Sequence, residues 1–404
     1  MKSGIKIAII GGGASGFMAA ITAKQTNPNA RVAIFEKTDK ILSKVRISGG
    51  GRCNVTNATF SVSQLIKNYP RGGNKLKKPF NLFNTNHTID WFKKRGVRLK
   101  TEADNRMFPE SNTSETIINC LVETAESLKI RLSYKSKVTA INPTDKGIEL
   151  DINEQKLLFE KVIIASGGTP KKEGLNWLEN IGYQIVNPVP SLFTFKLANK
   201  DICKLMGLSI PKVIATIKGS KLKQEGAMLI THWGLSGPSI LKLSAWGAEE
   251  LAKRNYNFTV GVNWLAINEE ELRLQFSTIT DSRKLMHKHN PFDVPKRLWK
   301  FILDRLEISE SQIWGELTKK NKNRLINTLI NDAFEVRGKT TFKEEFVSCG
   351  GINLSDINMN TFESKVHKGV YFAGEILNID GVTGGFNFQA AWTTGYLAGK
   401  NSAI

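Results

Sequence analysis

Near the N-terminus, Lys6-Ile7-Ala8-Ile9-Ile10 is followed directly by Gly11-Gly12-Gly13-Ala14-Ser15-Gly16, and this sequence indicates the fold class. The first five residues are mostly apolar and β-branched, which predicts a short buried strand, and the composition from Phe17 to Lys24 predicts a helix after the glycines. The glycines permit a tight turn, the close approach of a pyrophosphate and close helix-to-strand packing. The helix N-terminus adds amide donors and a positive dipole end. The stretch therefore predicts a dinucleotide-binding unit that uses Gly11, Gly13 and Gly16.

An acidic residue follows the second predicted strand of this unit. Arg31–Phe35 has the composition of a strand, and Glu36 comes directly after it, twenty positions beyond Gly16. An acid at this spacing accepts hydrogen bonds from the ribose hydroxyls of an adenosine and disfavours a 2′-phosphate. Glu36 is therefore predicted to bind the ribose of the dinucleotide.

The pattern along the chain predicts one α/β domain that is interrupted by an insertion. Helix and strand patterns alternate up to about residue 190, which favours an α/β sheet. Period-two segments such as 192–197 and 257–262 then predict a β-rich part, and helical patterns follow it. The glycine-rich α/β pattern returns after Phe346. We therefore predict a Rossmann-type cofactor domain over 1–190 and 345–404, a β-rich insertion over 191–265 and a helical insertion over 266–344.

Basic residues are concentrated near the N-terminus. The 404 residues include 57 Lys and Arg against 37 Asp and Glu, which gives a net charge of +20. The first hundred residues carry +16, and residues 67–100 hold ten basic residues against Asp90 alone. Such clusters neutralise phosphates along a polyanion and release counterions. The alternative is a lysine-rich solvated surface without a nucleic-acid partner.

The composition excludes several classes of protein. No apolar run approaches the roughly 18 residues needed to span a bilayer. The apolar run near the N-terminus is broken by Lys6 and ends in glycines, so no secretion signal is predicted. The four cysteines, at positions 53, 120, 203 and 349, include no Cys-x-x-Cys pair and favour neither a disulfide framework nor a zinc site. We therefore expect a protein of the reducing cytoplasm with no bound metal and no membrane partner.

Three further glycine-rich segments indicate which dinucleotide binds. The residues from Arg46 to Asn57 form a second glycine-dense loop, for which a simple NAD dehydrogenase has no obvious use. A predicted buried strand ends in small residues that include Gly167, and another ends in Gly374-Glu375, where an acid can bind a ribityl chain. The segment 380–391 leads glycines into a helix start, whose amides would face the pyrimidine edge of a reduced flavin. These segments favour FAD as the resident cofactor.

On these motifs the sequence resembles, over essentially its whole length, the YhiN/BaiN-like family of FAD-dependent NAD(P)H oxidoreductases, which includes flavoproteins of the large-subunit rRNA dihydrouridine synthase type. The resemblance implies a glutathione-reductase-like FAD domain interrupted by a β-barrel-like insertion and a small helical insertion. Glu375 stands where the wider superfamily commonly has Asp, although Gly-Glu is usual in this family. The FAD contacts that the resemblance implies are Gly11, Gly13, Ala14, Ser15, Gly16, Glu36, Lys37, Ser48, Gly50, Gly51, Arg52, Asn54, Asn57, Val138, Gly374, Glu375, Gly385, Phe386, Asn387 and Gln389.

Three residues are candidates for a catalytic role. Cys53 lies inside the predicted flavin-facing loop, and an unperturbed thiol titrates at about 8.5, close enough to neutrality to donate a proton. The alternative for Cys53 is a small buried residue that only packs. His232 is the second candidate for proton donor, although its polar turn before Gly237-Pro238 can be purely structural. Arg52 is predicted to hold an anionic substrate or the flavin, with a brace of the loop as the alternative.

The predicted reaction follows from the cofactor and the resemblance. No second Gly-x-Gly-x-x-Gly occurs between a predicted strand and helix, so NAD(P)H is predicted to bind only transiently, as the reductant. The resemblance offers three substrate classes: a uridine of large-subunit ribosomal RNA, a conjugated C=C bond of a steroid-like acid, and a small amine oxidised by oxygen. The basic first hundred residues favour the RNA. A steroid acid needs one cation, whereas a folded RNA is bound more tightly when many cations contact its phosphates. A non-catalytic RNA-binding flavoprotein is the alternative from a different class.

Overall fold

A computed structural model describes residues 4–279, 282–340 and 347–404 of the chain. Within these ranges the chain forms two compact units. The first unit contains residues 4–191 and 347–404, and the barrel unit contains the described residues of 192–340. The predicted border between residues 344 and 345 lies outside the described ranges.

The strands, in chain order, are β1 Lys6–Ile10, β2 Arg31–Phe35, β3 Thr56–Asn57, β4 Leu99–Thr101, β5 Arg106–Pro109, β6 Arg131–Ser133, β7 Val138–Thr144, β8 Gly147–Ile152, β9 Gln155–Phe159, β10 Lys161–Ile164, β11 Ile185–Ser191, β12 Thr194–Leu197, β13 Ser209–Ile217, β14 Lys223–Ile230, β15 Gly234–Ser236, β16 Asn257–Asn263, β17 Asp332–Thr340, β18 Val347–Ile352 and β19 Val370–Phe372. The helices are α1 Ala14–Thr26, α2 Ser43–Gly51, α3 Val62–Leu65, α4 Gly73–Leu82, α5 Thr85–Lys93, α6 Glu115–Ser127, α7 Asn176–Glu179, α8 Pro238–Trp246, α9 Ala248–Lys253, α10 Glu269–Ser277, α11 Lys296–Arg305, α12 Lys319–Asn331 and α13 Phe386–Ser402.

The first unit is built on a parallel sheet with the strand order β19-β10-β1-β2-β6. β1 lies at the centre of this sheet and pairs in parallel with β10 and β2. Ile7, Ala8 and Ile9 have no exposed surface, as expected for a parallel strand covered on both faces. An antiparallel meander, β7-β8-β9, and two small sheets, β3-β5-β4 and β11-β18, complete the unit. The predicted Rossmann-type α/β fold is confirmed.

α1 and α13 pack against each other through small residues. A Cβ atom added at Gly395 would lie 2.5 Å from the carbonyl oxygen of Ser15, and one at Gly399 would lie 2.2 Å from that of Ala19. Both pairs are four residues apart, so the glycines form one stripe that faces one stripe of α1. Their close approach fixes the last helix of the chain against the helix that follows the first glycine turn.

The barrel unit contains a closed barrel with the strand order β12-β15-β14-β13-β16-β17, so the barrel-like insertion is confirmed. The helices between β16 and β17 share the hydrophobic core of the barrel: Val260, Trp264, Leu298 and Leu325 belong to one cluster and have no exposed surface. The insertion predicted as a β-rich part and a separate helical part therefore forms one unit. β17 comes from the segment predicted to be helical, and it pairs with β12 and β16 to close the barrel.

Candidate cofactor-binding site

The first glycine turn has one position that is open to a ligand. A Cβ atom at Gly11 would lie 2.4 Å from the carbonyl oxygen of Ala165, and one at Gly16 would lie 2.0 Å from that of Gly11, so packing requires both glycines. A Cβ atom at Gly13 would meet no protein atom within 4 Å. Gly13 is the N-cap of α1 and provides no side-chain cap, so the first amides of the helix can bind a ligand.

Hydrogen bonds hold Glu36 beside the same turn. Its Oε2 atom accepts a hydrogen bond from the N–H of Gly12 at 2.9 Å. Its Oε1 atom accepts from both the N–H and the hydroxyl of Thr38, at 2.9 Å each. A carboxylate offers about four acceptor positions. These three contacts therefore orient the side chain and still allow it to accept from a ribose hydroxyl.

Lys37 and Val138 flank this turn. The side chain of Lys37 is exposed. The N–H of Ser136 donates to the carbonyl oxygen of Glu36 at 2.8 Å, which brings the start of β7, and with it Val138, beside Glu36. Lys37 therefore adjoins Glu36 in the sequence, and Val138 lies two residues beyond a residue that is hydrogen-bonded to Glu36.

The second glycine-rich loop contains three successive glycines with left-handed backbone. Gly49, Gly50 and Gly51 have φ values of 59°, 69° and 82°, a region that favours glycine. Cβ atoms at Gly50 and Gly51 would meet no protein atom within 4 Å. Ser48 precedes the turn, and its hydroxyl donates to the carbonyl oxygen of Val45 at 3.0 Å. Gly50 and Gly51 therefore form a second stretch of open backbone.

Asparagine side chains fix this loop to the start of α13. In the orientation that satisfies both of its polar groups, the Asn54 amide donates to the carbonyl oxygen of Thr56 at 3.0 Å and accepts from the N–H of Gly385 at 2.9 Å. Asn57 donates to the carbonyl oxygen of Gly384 at 2.9 Å. Gly385 is the N-cap of α13 and provides no side-chain cap. The predicted loop and the predicted helix start therefore lie together, beside the positive end of the helix dipole.

Two residues predicted on α13 brace the helix start. Asn387 accepts from the N–H of Gly381 at 2.8 Å and donates to the carbonyl oxygen of the same residue at 2.9 Å. Gln389 is fully buried, and its Oε1 atom accepts from the hydroxyls of Thr56 at 2.6 Å and Thr88 at 3.0 Å. Both side chains therefore shape the loop through bonds to the protein itself.

The end of β19 meets the first glycine turn. Gly374 has a φ of 79°, and a Cβ atom there would lie 2.4 Å from the hydroxyl oxygen of Ser15. Glu375 accepts a hydrogen bond from the N–H of Ser348 at 2.8 Å and pairs with Lys44 at 2.6 Å. The predicted acid is thus held between two segments that are distant from it in the sequence.

The strand end at Gly167 contributes one open position and one packed position. A Cβ atom at Gly167 would meet no protein atom within 4 Å, whereas one at Gly168 would lie 2.5 Å from Oε1 of Glu375. The contacts of Gly168, Lys44 and Ser348 join separate segments, so the sequence alone does not predict them. The only signal was that a second glycine follows Gly167.

A buried ion pair that the sequence analysis did not identify supports the loop before α13. Asp380 has no exposed surface, and both of its carboxylate oxygens accept from the guanidinium of Arg71, one of them at 2.6 Å. The hydroxyl of Ser191 donates to the same carboxylate at 2.8 Å. The hydroxyl of Tyr69 donates to the carbonyl oxygen of the buried Phe386 at 2.7 Å. These contacts join the chain before α4 to the start of α13.

Cys53 is fully buried, with a φ of 61°. Burial raises the pKa of its thiol to about 12, and a hydrogen bond to Ser48 opposes the shift. A proton donor is most effective when its pKa lies near the working pH. The surroundings of Cys53 therefore favour the packing role over the donor role.

Arg52 and His232 lie in different units. The Arg52 guanidinium pairs with Glu102 at 2.6 Å and lies 4.0 Å from the ring centre of Phe108, contacts that favour a brace of the loop. His232 lies on the turn between β14 and β15 of the barrel unit, where it is exposed and meets Trp233 edge-on at 4.0 Å. The catalytic roles of both residues stay predictions.

The open positions of the first unit fit a flavin dinucleotide. A Cβ atom would meet no protein atom at Gly13, Gly50, Gly51 or Gly167, so a ligand can approach the backbone at each of them. The uncapped start of α1 suits a pyrophosphate, and that of α13 suits the electron-rich pyrimidine edge of a reduced flavin. The residues present therefore fit FAD.

Two properties of the described residues bear on other ligands. None of their helices is both long and apolar enough to cross a membrane. No group of three or more His, Cys, Asp or Glu residues within the described ranges is placed to hold a metal ion.

The strand order and the glycine turns identify a protein with a Rossmann-type dinucleotide-binding domain. The chain belongs to the family described as HI0933-like protein Rossmann domain, which matches residues 5–401. The family resemblance of the sequence motifs is therefore confirmed.

Relatives that match the chain over nearly its whole length include the following two proteins. A protein of Clostridium scindens named 3-dehydro-bile acid delta(4,6)-reductase is 28% identical, with 98% of this chain and 99% of the relative covered. The ribosomal RNA dihydrouridine synthase of Escherichia coli is 26% identical, with 97% of this chain and 96% of the relative covered. Among solved structures, the 3-ketosteroid-Δ4-(5α)-dehydrogenase of Rhodococcus jostii is similar in fold, with a TM-score of 0.52 and 13% identity over all of this chain and 97% of that one.

Proposed function

We propose that this protein is an FAD-dependent oxidoreductase that uses NAD(P)H to reduce an electron-poor C=C bond, and that its substrate is a uridine of large-subunit ribosomal RNA. When bound, FAD supplies a carrier for two electrons between reductant and substrate. The uracil ring gains a hydride on one carbon of its double bond and a proton on the neighbouring carbon. The product is dihydrouridine, and the nicotinamide is oxidised.

The observation that carries the RNA substrate is the basic segment, residues 67–100, with ten basic residues and one acidic residue. Arg71 is paired with Asp380, and Arg95 lies over the ring of Trp91 at 3.6 Å. The other eight cations form no ion pair within the part of the chain that the structure describes, and all but the last are exposed: Lys67, Lys75, Lys77, Lys78, Lys93, Lys94, Arg98 and Lys100. Unpaired cations on one segment suit the phosphates of a folded RNA.

The basic segment is held against α13. In addition to the Arg71 ion pair, the hydroxyl of Thr88 donates to Gln389 at 3.0 Å, and the hydroxyl of Thr393 donates to the carbonyl oxygen of Phe83 at 2.9 Å. An RNA bound by these cations would therefore lie close to the helix whose start borders the proposed flavin edge. This placement supports RNA as the substrate.

Residues of the first unit would bind and orient the reacting groups. The first glycine turn and Glu36 would hold the adenosine half of the cofactor. The amides at the start of α13 would stabilise the negative charge that reduction places on the pyrimidine edge. NAD(P)H would bind transiently, as the reductant, because the sequence contains no second glycine turn of the same type.

A steroid-like enone is the second candidate substrate. The relative at 28% identity is named as a bile acid reductase, and reduction of a conjugated C=C bond requires the same transfer of a hydride and a proton. An acidic steroid needs one cation, which the basic segment supplies in excess.

The test is nucleoside mass analysis of ribosomal RNA from cells that lack the gene, after incubation with the FAD-loaded protein and NADH or NADPH. The proposal expects a gain of two hydrogen atoms at a uridine, and only when protein and reductant are both present. No gain at any uridine, together with rapid NAD(P)H oxidation by a small enone, would transfer the assignment to the enone reductase.

A further inference from the structure

One face of α4 carries a feature that the reduction chemistry does not use. Lys75, Lys78 and Leu82 are exposed, and their spacing of three and four residues places them on one face of the helix. Leu82 is 53% exposed, whereas Leu76 and Phe80 are fully buried on the opposite face. α4 therefore presents to solvent a stripe of two cations that ends in an apolar side chain.

Phe60 belongs to a segment that is hydrogen-bonded to the chain just beyond this stripe. Its side chain is 50% exposed, which is unusual for a large aromatic residue. The hydroxyl of Thr85, three residues beyond Leu82, donates to the carbonyl oxygen of Thr59 at 3.4 Å. Phe60 is next in sequence to one partner of this hydrogen bond, and Leu82 lies three residues before the other partner. We call the following residues the α4 patch: Phe60, Lys75, Lys78 and Leu82.

We propose that the α4 patch binds a single-stranded loop of RNA, with the ring of Phe60 stacked on an unpaired base and the two lysines in contact with neighbouring phosphates. An aromatic ring beside cations is the combination that recognises single-stranded nucleic acid. In RNA, unpaired bases of loops are the ones that aromatic side chains can reach. The inference rests on the proposed function, because it names the surface that would hold the RNA substrate.

A lipid surface fits the α4 patch less well than RNA does. Helices that bind membrane surfaces insert a large apolar face into the bilayer. α4 has ten residues, and its apolar face is packed inside the protein. The other exposed side chains on and just after α4 include the amides of Asn74, Asn81 and Asn86, which can hydrogen-bond to nucleotides.

The α4 patch is directly connected to α13. Phe83 follows Leu82, and its carbonyl oxygen accepts a hydrogen bond from Thr393 at 2.9 Å. The ring of Phe83 also stacks on that of Tyr396, with ring centres 4.4 Å apart. An RNA loop bound to the patch would therefore lie on a segment that packs against the middle of α13, the helix whose start borders the proposed flavin edge.

The experiment measures how tightly the FAD-loaded protein binds two RNAs over a range of salt concentrations, by fluorescence anisotropy. One RNA is a hairpin with unpaired uridines in its loop, and the other is a fully paired duplex of equal length. In Lys75→Ala/Lys78→Ala, the log–log salt slope for the hairpin should become shallower by about 1.4, because each phosphate contact on a single strand contributes about 0.7. In Phe60→Ala, hairpin affinity should fall about tenfold with duplex affinity unchanged, and Phe60→Tyr should restore it.

The matched control is Lys319→Ala/Lys320→Ala, which removes the same charge from the exposed start of α12 in the barrel unit. FAD absorbance and the melting temperature report that each variant is folded and loaded. The proposal is overturned by an equal slope change in the control, by equal losses of hairpin and duplex binding in Phe60→Ala, or by tighter binding to phosphatidylserine vesicles than to the hairpin.

Nucleoside analysis separates a failure of this inference from a failure of the proposed function. If the patch variants lose hairpin binding and the unaltered protein makes no dihydrouridine, RNA binding by the α4 patch is supported and the uridine reductase function is rejected. If the patch variants form dihydrouridine at the rate of the unaltered protein, the reductase function is supported and the role of the α4 patch is rejected.

Discussion

Arg71 and Asp380 are 309 positions apart in the sequence and form a buried ion pair in the structure. The carboxylate has no exposed surface, and the side chain of Arg71 is 12% exposed. The pair joins the chain before α4 to the loop before α13, and the hydroxyl of Ser191 adds a third contact. Burial of two charges is tolerated because each is hydrogen-bonded by the other, so the loss of one partner leaves an uncompensated charge.

Asp380→Asn should therefore destabilise the protein by about 3–5 kcal/mol and weaken FAD binding, because the loop before α13 loses its anchor. The double variant Arg71→Met/Asp380→Leu should lose clearly less stability than the sum of the single variants Arg71→Met and Asp380→Leu. Urea unfolding of the single and double variants measures both effects. Strict additivity in this double-mutant cycle would contradict a coupled buried pair.

Gly13→Ala should leave the unfolding midpoint of the apoprotein unchanged and lower FAD affinity at least about tenfold. The added methyl meets no protein atom, and the backbone of Gly13, with φ −95°, suits any residue, so the methyl obstructs only the ligand. Gly16→Ala is the matched control, because its methyl would lie 2.0 Å from the carbonyl oxygen of Gly11 and should destabilise the apoprotein itself. FAD titration and thermal unfolding distinguish the two. A Gly13→Ala protein that is purified yellow and fully loaded with FAD would show that the pyrophosphate does not bind at this turn.

Cys53→Ala should reduce substrate at a rate within about twofold of the unaltered protein, because the thiol is sealed from solvent and burial raises its pKa to about 12. Since this pKa lies above the usual value, the thiol stays protonated through neutral and mildly alkaline pH, and Cys53 should resist alkylation by iodoacetamide up to about pH 10. Stopped-flow measurement of both half-reactions and mass analysis of the alkylated protein check these outcomes. Normal flavin reduction combined with slow substrate reduction would instead identify Cys53 as the proton donor.

RNA binding by the unaltered protein should weaken steeply as salt rises. Eight cations of the basic segment form no ion pair with the residues that the structure describes. If four or more of them contact phosphates, the log–log slope for a single-stranded RNA is about −3 or steeper. Filter binding at several potassium chloride concentrations measures this slope. A flat dependence would indicate a small substrate and leave the basic segment as a solvated surface.

The sheet and the first glycine turn could be predicted because their signals are local. The apolar run Lys6–Ile10, the glycines after it and the spacing of Glu36 are all contained within 36 consecutive residues. The last helix could also be predicted: its composition indicates a helix over Phe388–Leu397, and the structure has it over Phe386–Ser402. In each case the residues that make the pattern are the residues that make the contact.

The supporting contacts could not be predicted because they join segments that only the fold brings together. Arg71 pairs with Asp380, and Lys44 pairs with Glu375, across more than 300 positions of sequence. No local sequence pattern predicts either pair. β17 was missed because it follows directly on α12 without a turn signal, and it becomes a strand by pairing with β12 and β16. The burial of Cys53 depends in the same way on tertiary packing around its loop.

Anaerobic stopped-flow reoxidation of the NAD(P)H-reduced protein distinguishes the two candidate substrates, when the protein is mixed either with ribosomal RNA from cells that lack the gene or with a small enone. If ribosomal RNA is the substrate, the oxidised flavin absorbance returns rapidly with the RNA, and dihydrouridine appears at a matching rate. Reoxidation by the enone alone, with the RNA inert, would rule out the RNA reductase function and make the basic segment incidental to the reaction.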